Sequence, residues 1–265
     1  MAHPLDGARL KIVRAKQHLE SFNEEAFRYV NTKPCKVVSK IEGDYVGIEG
    51  VVTSQPPPAF ACIVGDFVTN LRAALDYIAW EIAMRRGCGR TLAESKQRKI
   101  TFPIYETNAK FAGSNSSATF LRDICAVPTE AMDVIESVQP YHAGYESIRR
   151  LNDLVRIDKH QTILLCGTYM GDVGNIAIYR NNELAWTAYG TGAGFGTTRF
   201  KGNLAAAGEP TGHAAEYRVE MDGEPSVYIS LKDFPSPGET TWVGLLQQIL
   251  ECVANVVPSF DPFFL

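Results

Sequence analysis

The chain has 265 residues, 45% of them hydrophobic and 21% charged, with a formal net charge of −4 and a pI near 5.8. This is the composition of an ordinary globular protein of one large or two modest domains. The acidic balance excludes a global electrostatic drive toward nucleic acid, though not a local basic groove.

The first twenty residues hold no apolar core of signal-peptide length, and no uninterrupted run of about 18 apolar residues occurs. The expected setting is therefore the cytoplasm, with no membrane span. Cys35, Cys62, Cys88, Cys125, Cys166 and Cys252 are scattered without a CxxC pair. They are expected to be reduced, mostly buried thiols rather than a zinc cluster or a disulfide framework.

Residues 6–30 place Leu10, Val13, Leu19, Phe22, Ala26 and Phe27 near helical spacing, with Asp6 as the expected N-cap. Two β-rich runs over 35–53 flank Glu42-Gly43-Asp44, the residues of a hairpin turn. After "SQPPPAF" comes the longest helical pattern, roughly 58–87. Its apolar stripe is Phe60, Val64, Phe67, Leu71, Leu75, Ile78 and Ile82, and Gly87 and Gly89 stop it. "KITFPIYET" reads as an extended segment, 117–126 and 129–138 as short helices divided by Pro128, and 145–160 as a further amphipathic helix.

Beyond His160 the period changes. "TILLCGTYM", "GNIAIYR", "ELAWTAYG", "AEYRVEM" and "SVYISL" are short β-type runs, and Asp222-Gly223 signals a hairpin between the last two. A Gly-rich connection over 190–212 separates them, and an amphipathic helix with the apolar tail "PSFDPFFL" closes the chain. The expected fold is α+β. A helical bundle over 1–161 carries an inserted hairpin, and a small antiparallel β region with a C-terminal helix follows over 162–265.

Strong catalytic signatures are missing. "GTGAGFG" offers backbone amides at Gly190, Gly192 and Gly194 but no helix follows it, so a β-connection is preferred to a dinucleotide loop. The sequence has neither a Walker lysine loop, HExxH nor GxSxG. No cofactor and no metal site is expected.

Two polar constellations remain. On the long helix, Asp66, Asn70, Tyr77 and Glu81 fall within a wedge of about 60°, while Arg72 and Asp76 stand one turn apart beside it. An exposed Arg–Asp pair at that spacing stabilises by only about 0.3–0.5 kcal/mol. Such a face is either a wet surface or a lined groove. The second constellation is Asp158-Lys159-His160 at a helix end. The helix macrodipole alone explains a Lys and a His there; an imidazole also titrates near neutrality and can act as acid or base.

"GDFVTNLRAALDYIAW", "FPIY", "QPY" and "LNDLVRIDKHQTILL", over roughly residues 60–165, resemble a group of uncharacterised bacterial and phage proteins with the same motif order. The matching positions include Gly65, Asp66, Asn70, Arg72, Asp76, Phe102-Pro103-Ile104, Gln139-Pro140-Tyr141, Asn152 and Ile157 to His160. A looser resemblance is to the HEPN superfamily, helical bundles that include metal-independent ribonucleases, toxins and phage-defence effectors. Their signature, an Arg with a His four to six residues later, begins here with Asn70-Leu71-Arg72, but Tyr77 stands five residues after Arg72, where a His is expected.

That resemblance implies Arg72 on a phosphate; if the 145–160 helix packs along the long helix, His160 acts there as acid or base, with Asp76 or Asp158 orienting it and Asn70, Asn152 and Lys159 binding substrate. The implied partner is RNA or a nucleotide, in a possible homodimer. The alternative is a catalytically inactive binding or protein-interaction module.

Overall fold

A computed structural model of the protein describes residues 3–42, 45–160, 165–180, 183–193, 217–221, 225–231 and 242–265. The architecture is α+β. The chain groups into two compact units, one formed by Met1–Asn23, Pro58–Leu164 and Pro237–Leu265, the other by Glu24–Pro57 and Leu165–Ser236. This differs from the division expected near residue 161. The hairpin groups with the later strands, and the C-terminal helix with the earlier helices.

The first unit is helical. Helix α1 (Asp6–Asn31) begins it, although residues from Glu24 onward belong to the second unit. Helix α2 (Ala59–Arg85) buries all seven residues of the predicted stripe, Phe60, Val64, Phe67, Leu71, Leu75, Ile78 and Ile82. The short pieces α3 (Glu94–Gln97), α4 (Asn108–Phe111) and α5 (Ser117–Thr119) follow, the last running into a π-helical turn over Phe120–Ile124. Helices α6 (Thr129–Ser137), α7 (Glu146–His160) and α8 (Trp242–Val256) complete the unit, with a 3₁₀ tail over Val257–Phe263.

Helix α1 faces its neighbours differently from the expectation. Leu5, Ala8, Ala15, Leu19 and Phe22 are buried, whereas Leu10 and Val13 are exposed. The buried stripe is rich in alanine, which carries little hydrophobic weight in a sequence window but lets helices approach closely. At Gly7 the approach is close: a Cβ there would lie 3.0 Å from the Tyr77 ring. Asp6 is not the N-cap either. It lies inside the first turn, where its carboxylate accepts the His3 backbone N–H at 2.8 Å.

Trp242–Phe263 is long and apolar enough by composition to cross a membrane, the one such stretch among the described residues. It carries the pattern of a core helix. Leu245, Leu246, Ile249, Leu250 and Val253 are buried while Gln247, Gln248 and Glu251 are exposed. The apolar tail packs on the first unit itself. Phe260 is fully buried, Arg9 donates to Asp261 at 2.6 Å, and Arg86 donates to the Phe263 carbonyl.

The second unit contains two sheets. Strands β1 (Cys35–Glu42) and β2 (Tyr45–Val52) form an antiparallel hairpin with Glu42 opposite Tyr45, and its turn residues Gly43 and Asp44 lie outside the described residues. Strand β3 (Leu165–Arg180) is one long strand where the sequence suggests two runs, with register shifts at Asp172/Gly174 and Ile178/Tyr179. It pairs with β4 (Glu183–Ala193) on one side. Gly190 and Gly192 are ladder positions of β4, opposite Gly174 and Gly171; the rest of the Gly-rich connection lies outside the described residues.

Strands β5 (Tyr217–Met221) and β6 (Pro225–Leu231) both pair antiparallel with β3, β5 along 176–180 and β6 along 165–171. They follow each other along one side of β3 in the same direction. The hairpin expected at Asp222-Gly223 therefore does not pair them with each other among the described residues, and 222–224 lie outside those residues.

Candidate functional site

Phe102 to Tyr105, "FPIY", run through the first unit as an extended segment with no sheet partner among the described residues. Phe102 is buried, at 1% exposure, and its ring meets Phe260 edge-on at 6.3 Å. Backbone N–H and C=O groups taken out of water in this way need partners. Pro103 removes one N–H. Side chains from α2 and from the turn after α6 partner four of the others.

Asp76 Oδ1 accepts the Phe102 N–H at 2.8 Å, and Arg72 Nη2 donates to the Phe102 carbonyl at 2.8 Å. The two side chains also bind each other, Nη2 to Oδ1 at 2.9 Å and Nε to Oδ2 at 3.3 Å. Four residues apart on α2, they stand side by side, a fork that grips both polar groups of one peptide position. Their side chains are 15% and 31% exposed.

Gln139 does the same two residues further on. It is fully buried. Its Nε2 donates to the Pro103 carbonyl at 2.9 Å and to Ile135 O at 3.0 Å, and its Oε1 accepts the Tyr105 N–H at 3.0 Å. Tyr105 in turn accepts the Ser117 N–H on its hydroxyl at 2.8 Å. The three motifs "NLRAALD", "FPIY" and "QPY" thus meet at one place, where side chains stand in for a strand's missing neighbours.

The other predicted residues fall elsewhere. Asn70 Oδ1 accepts from Lys11 Nζ at 3.2 Å, and its amide donates to Asp66 O at 2.8 Å, so it links α1 to α2. Asp158 abuts α2 at Gly65, where an added Cβ would lie 3.0 Å from the Asp158 carboxyl carbon. Burial first, and the Asp66 carboxylate second, push the Asp158 carboxyl above its ordinary range. Gly65 is seven residues from Arg72, about 10 Å along a helix axis. Asn152 is half-buried on α7 and Lys159 is exposed. His160 is the last residue of α7, and its side chain lies outside the described residues.

The structure therefore joins Arg72 to Asp76 but holds both on a backbone segment, with Asp158 placed against another part of the same helix. Among the described residues no cluster of His, Cys, Asp and Glu is arranged to hold a metal ion.

Gln139 is the structural residue that sequence reasoning reached only through the resemblance; a Gln between Val138 and Pro140 carries no signal of its own. A second cluster was not read at all. Glu136 Oε1 accepts from the Tyr141 hydroxyl at 3.0 Å and from Asn108 Nδ2 at 3.3 Å, and shares a hydrogen bond with His142 Nε2 at 3.0 Å. Burial raises the Glu136 carboxyl, but the bonds to His142 and Tyr141 outweigh it and leave the group below its ordinary range. Burial and the Glu136 bond push the Tyr141 hydroxyl up to about 12. The chain matches no protein-family model, no curated protein and no solved structure.

Proposed function

We propose that the chain is a cytoplasmic, non-catalytic binding or protein-interaction module whose helical unit is a scaffold. One observation carries the reading. The Arg72 guanidinium, the group best suited to a phosphate, is engaged by Asp76 and by the Phe102 carbonyl. A phosphate would have to displace a carboxylate that itself holds the Phe102 N–H.

Tyr77 supports the same reading. It occupies the place of a HEPN-type His and packs its ring on Gly7. The interaction half of the reading is supported by large apolar side chains left exposed on α1 and α2: Leu10, Val13, Tyr77 and Trp80.

The second reading, a HEPN-like protein directed at RNA or a nucleotide, is supported by Asp158. Its carboxyl is raised toward protonation where it meets the helix that carries Arg72. Incubating the purified protein with total RNA, beside Arg72→Ala and His160→Ala variants, separates the two. The scaffold reading expects no cleavage above buffer. Cleavage by the wild type that either variant abolishes while keeping its circular dichroism contradicts it.

A further inference from the structure

Cys88 and Cys125 meet at the end of α2. The Cys88 backbone N–H donates to the Cys125 carbonyl at 2.7 Å, and the Cys88 thiol donates to the neighbouring Ile124 carbonyl at 3.3 Å. The approach depends on Gly87, since a Cβ there would strike the Cys125 carbonyl oxygen. A 2.7 Å N–H···O=C bond between them keeps the two Cα atoms within about 6.5 Å of each other, inside the roughly 4.4–6.8 Å that a disulfide spans. Both residues are thiols in the structure.

We propose that Cys88 and Cys125 form a peroxide-reactive pair that closes reversibly into a disulfide, a redox modification site at the α2 terminus. Cys88 is half-buried and Cys125 is fully buried, so the oxidant reaches Cys88 first. The Cys88 thiolate attacks the O–O bond of a hydroperoxide. Sulfur is oxidised to the sulfenic acid, and the leaving oxygen departs as water (or alcohol) after taking a proton. The Cys125 sulfur then attacks the sulfenic sulfur, the S–O bond breaks, and a second water leaves. Two thiols and one peroxide give one disulfide and two oxygen-bearing products.

Burial, and then the neighbouring Cys88 charge, push the Cys125 thiol up to about 11. Peroxide attack therefore falls to Cys88, and Cys125 acts only on the sulfenic sulfur beside it, giving its proton to the departing oxygen. Cys62, exposed on α2, serves as an internal comparison.

The test is differential alkylation of the intact protein after graded hydrogen peroxide, followed by trypsin and mass spectrometry. The cut sites separate Gly87–Arg90 from Asp123–Arg149, so the link joins two different peptides. Expected are loss of alkylation at Cys88 and Cys125 one for one, a linked peptide lighter by two hydrogens, and its release by dithiothreitol. Cys88→Ser should abolish the link, and Cys125→Ser should leave a sulfenic acid at Cys88 that dimedone traps. Alkylation of Cys88 and Cys125 that persists at a dose already oxidising Cys62 overturns the proposal. So does a dominant link from Cys88 to any other cysteine.

Discussion

Asp76→Ala is the perturbation that separates a structural fork from a surface ion pair. It removes the acceptor of the Phe102 N–H, at 2.8 Å, together with the partner of Arg72, at 2.9 Å. A buried N–H left without an acceptor costs about 1–3 kcal/mol, and a hydrogen bond to a charged group is worth about 1.5–3 kcal/mol. The Asp76 side chain is 31% exposed, so water recovers part of this. A loss of about 2–4 kcal/mol follows, against about 0.3–0.5 kcal/mol for an exposed i,i+4 pair.

Arg72→Ala should cost less, about 1–2 kcal/mol, because a carbonyl tolerates the loss of one donor better than an N–H tolerates the loss of its acceptor. The double variant should show coupling of at least about 1 kcal/mol. Urea unfolding followed by far-ultraviolet circular dichroism, at low and at high salt, measures all three. Single-variant losses below about 0.5 kcal/mol that vanish in high salt would refute the reasoning, since only solvent-exposed charges are screened in that way.

Three further outcomes follow from neighbouring contacts. Gln139→Ala removes a fully buried side chain and strands the Tyr105 N–H and the Pro103 carbonyl, and should lower stability by about 2–4 kcal/mol in the same urea experiment. Gly65→Ala drives a methyl into the Asp158 carboxylate and should lower the thermal midpoint; pairing it with Asp158→Ala should recover most of that loss. The Asp158 carboxyl is raised in the folded state, so its contribution is full below the unfolded pKa and is lost as pH rises through the folded one. Asp158→Asn should therefore be more stable than wild type at neutral pH, with the advantage shrinking on acidification; an advantage that grows toward acid would contradict the assignment.

What the sequence disclosed depended on which atoms do the work. The α2 core was legible because seven large apolar residues recur at helical spacing and all are buried. The α1 face was not, because Ala8 and Ala15 fill the inner side while Leu10 and Val13 point outward. Asp222-Gly223 suggests a turn by composition, yet β5 and β6 succeed each other along β3, a long-range pairing that no local dipeptide encodes.

Arg72 and Asp76 were legible as a pair four residues apart. Their shared partner was not, since it is main chain at Phe102, and backbone groups leave no mark in a sequence. The one local hint was Pro103, which marks a segment unable to satisfy itself as a central strand. Asp158 reads as the polar end of a helix until Gly65 is seen beneath it.

Amide hydrogen exchange at Phe102 tests the central claim most directly. If Asp76 and Arg72 clamp this segment, the Phe102 amide exchanges slowly in the wild type although it belongs to no sheet, and exchange accelerates in Asp76→Ala more than at helical amides of α2. Fast exchange at Phe102 in the wild type, or equal exchange in the two proteins, would mean that the fork does not hold the segment and that Arg72 is available for a ligand.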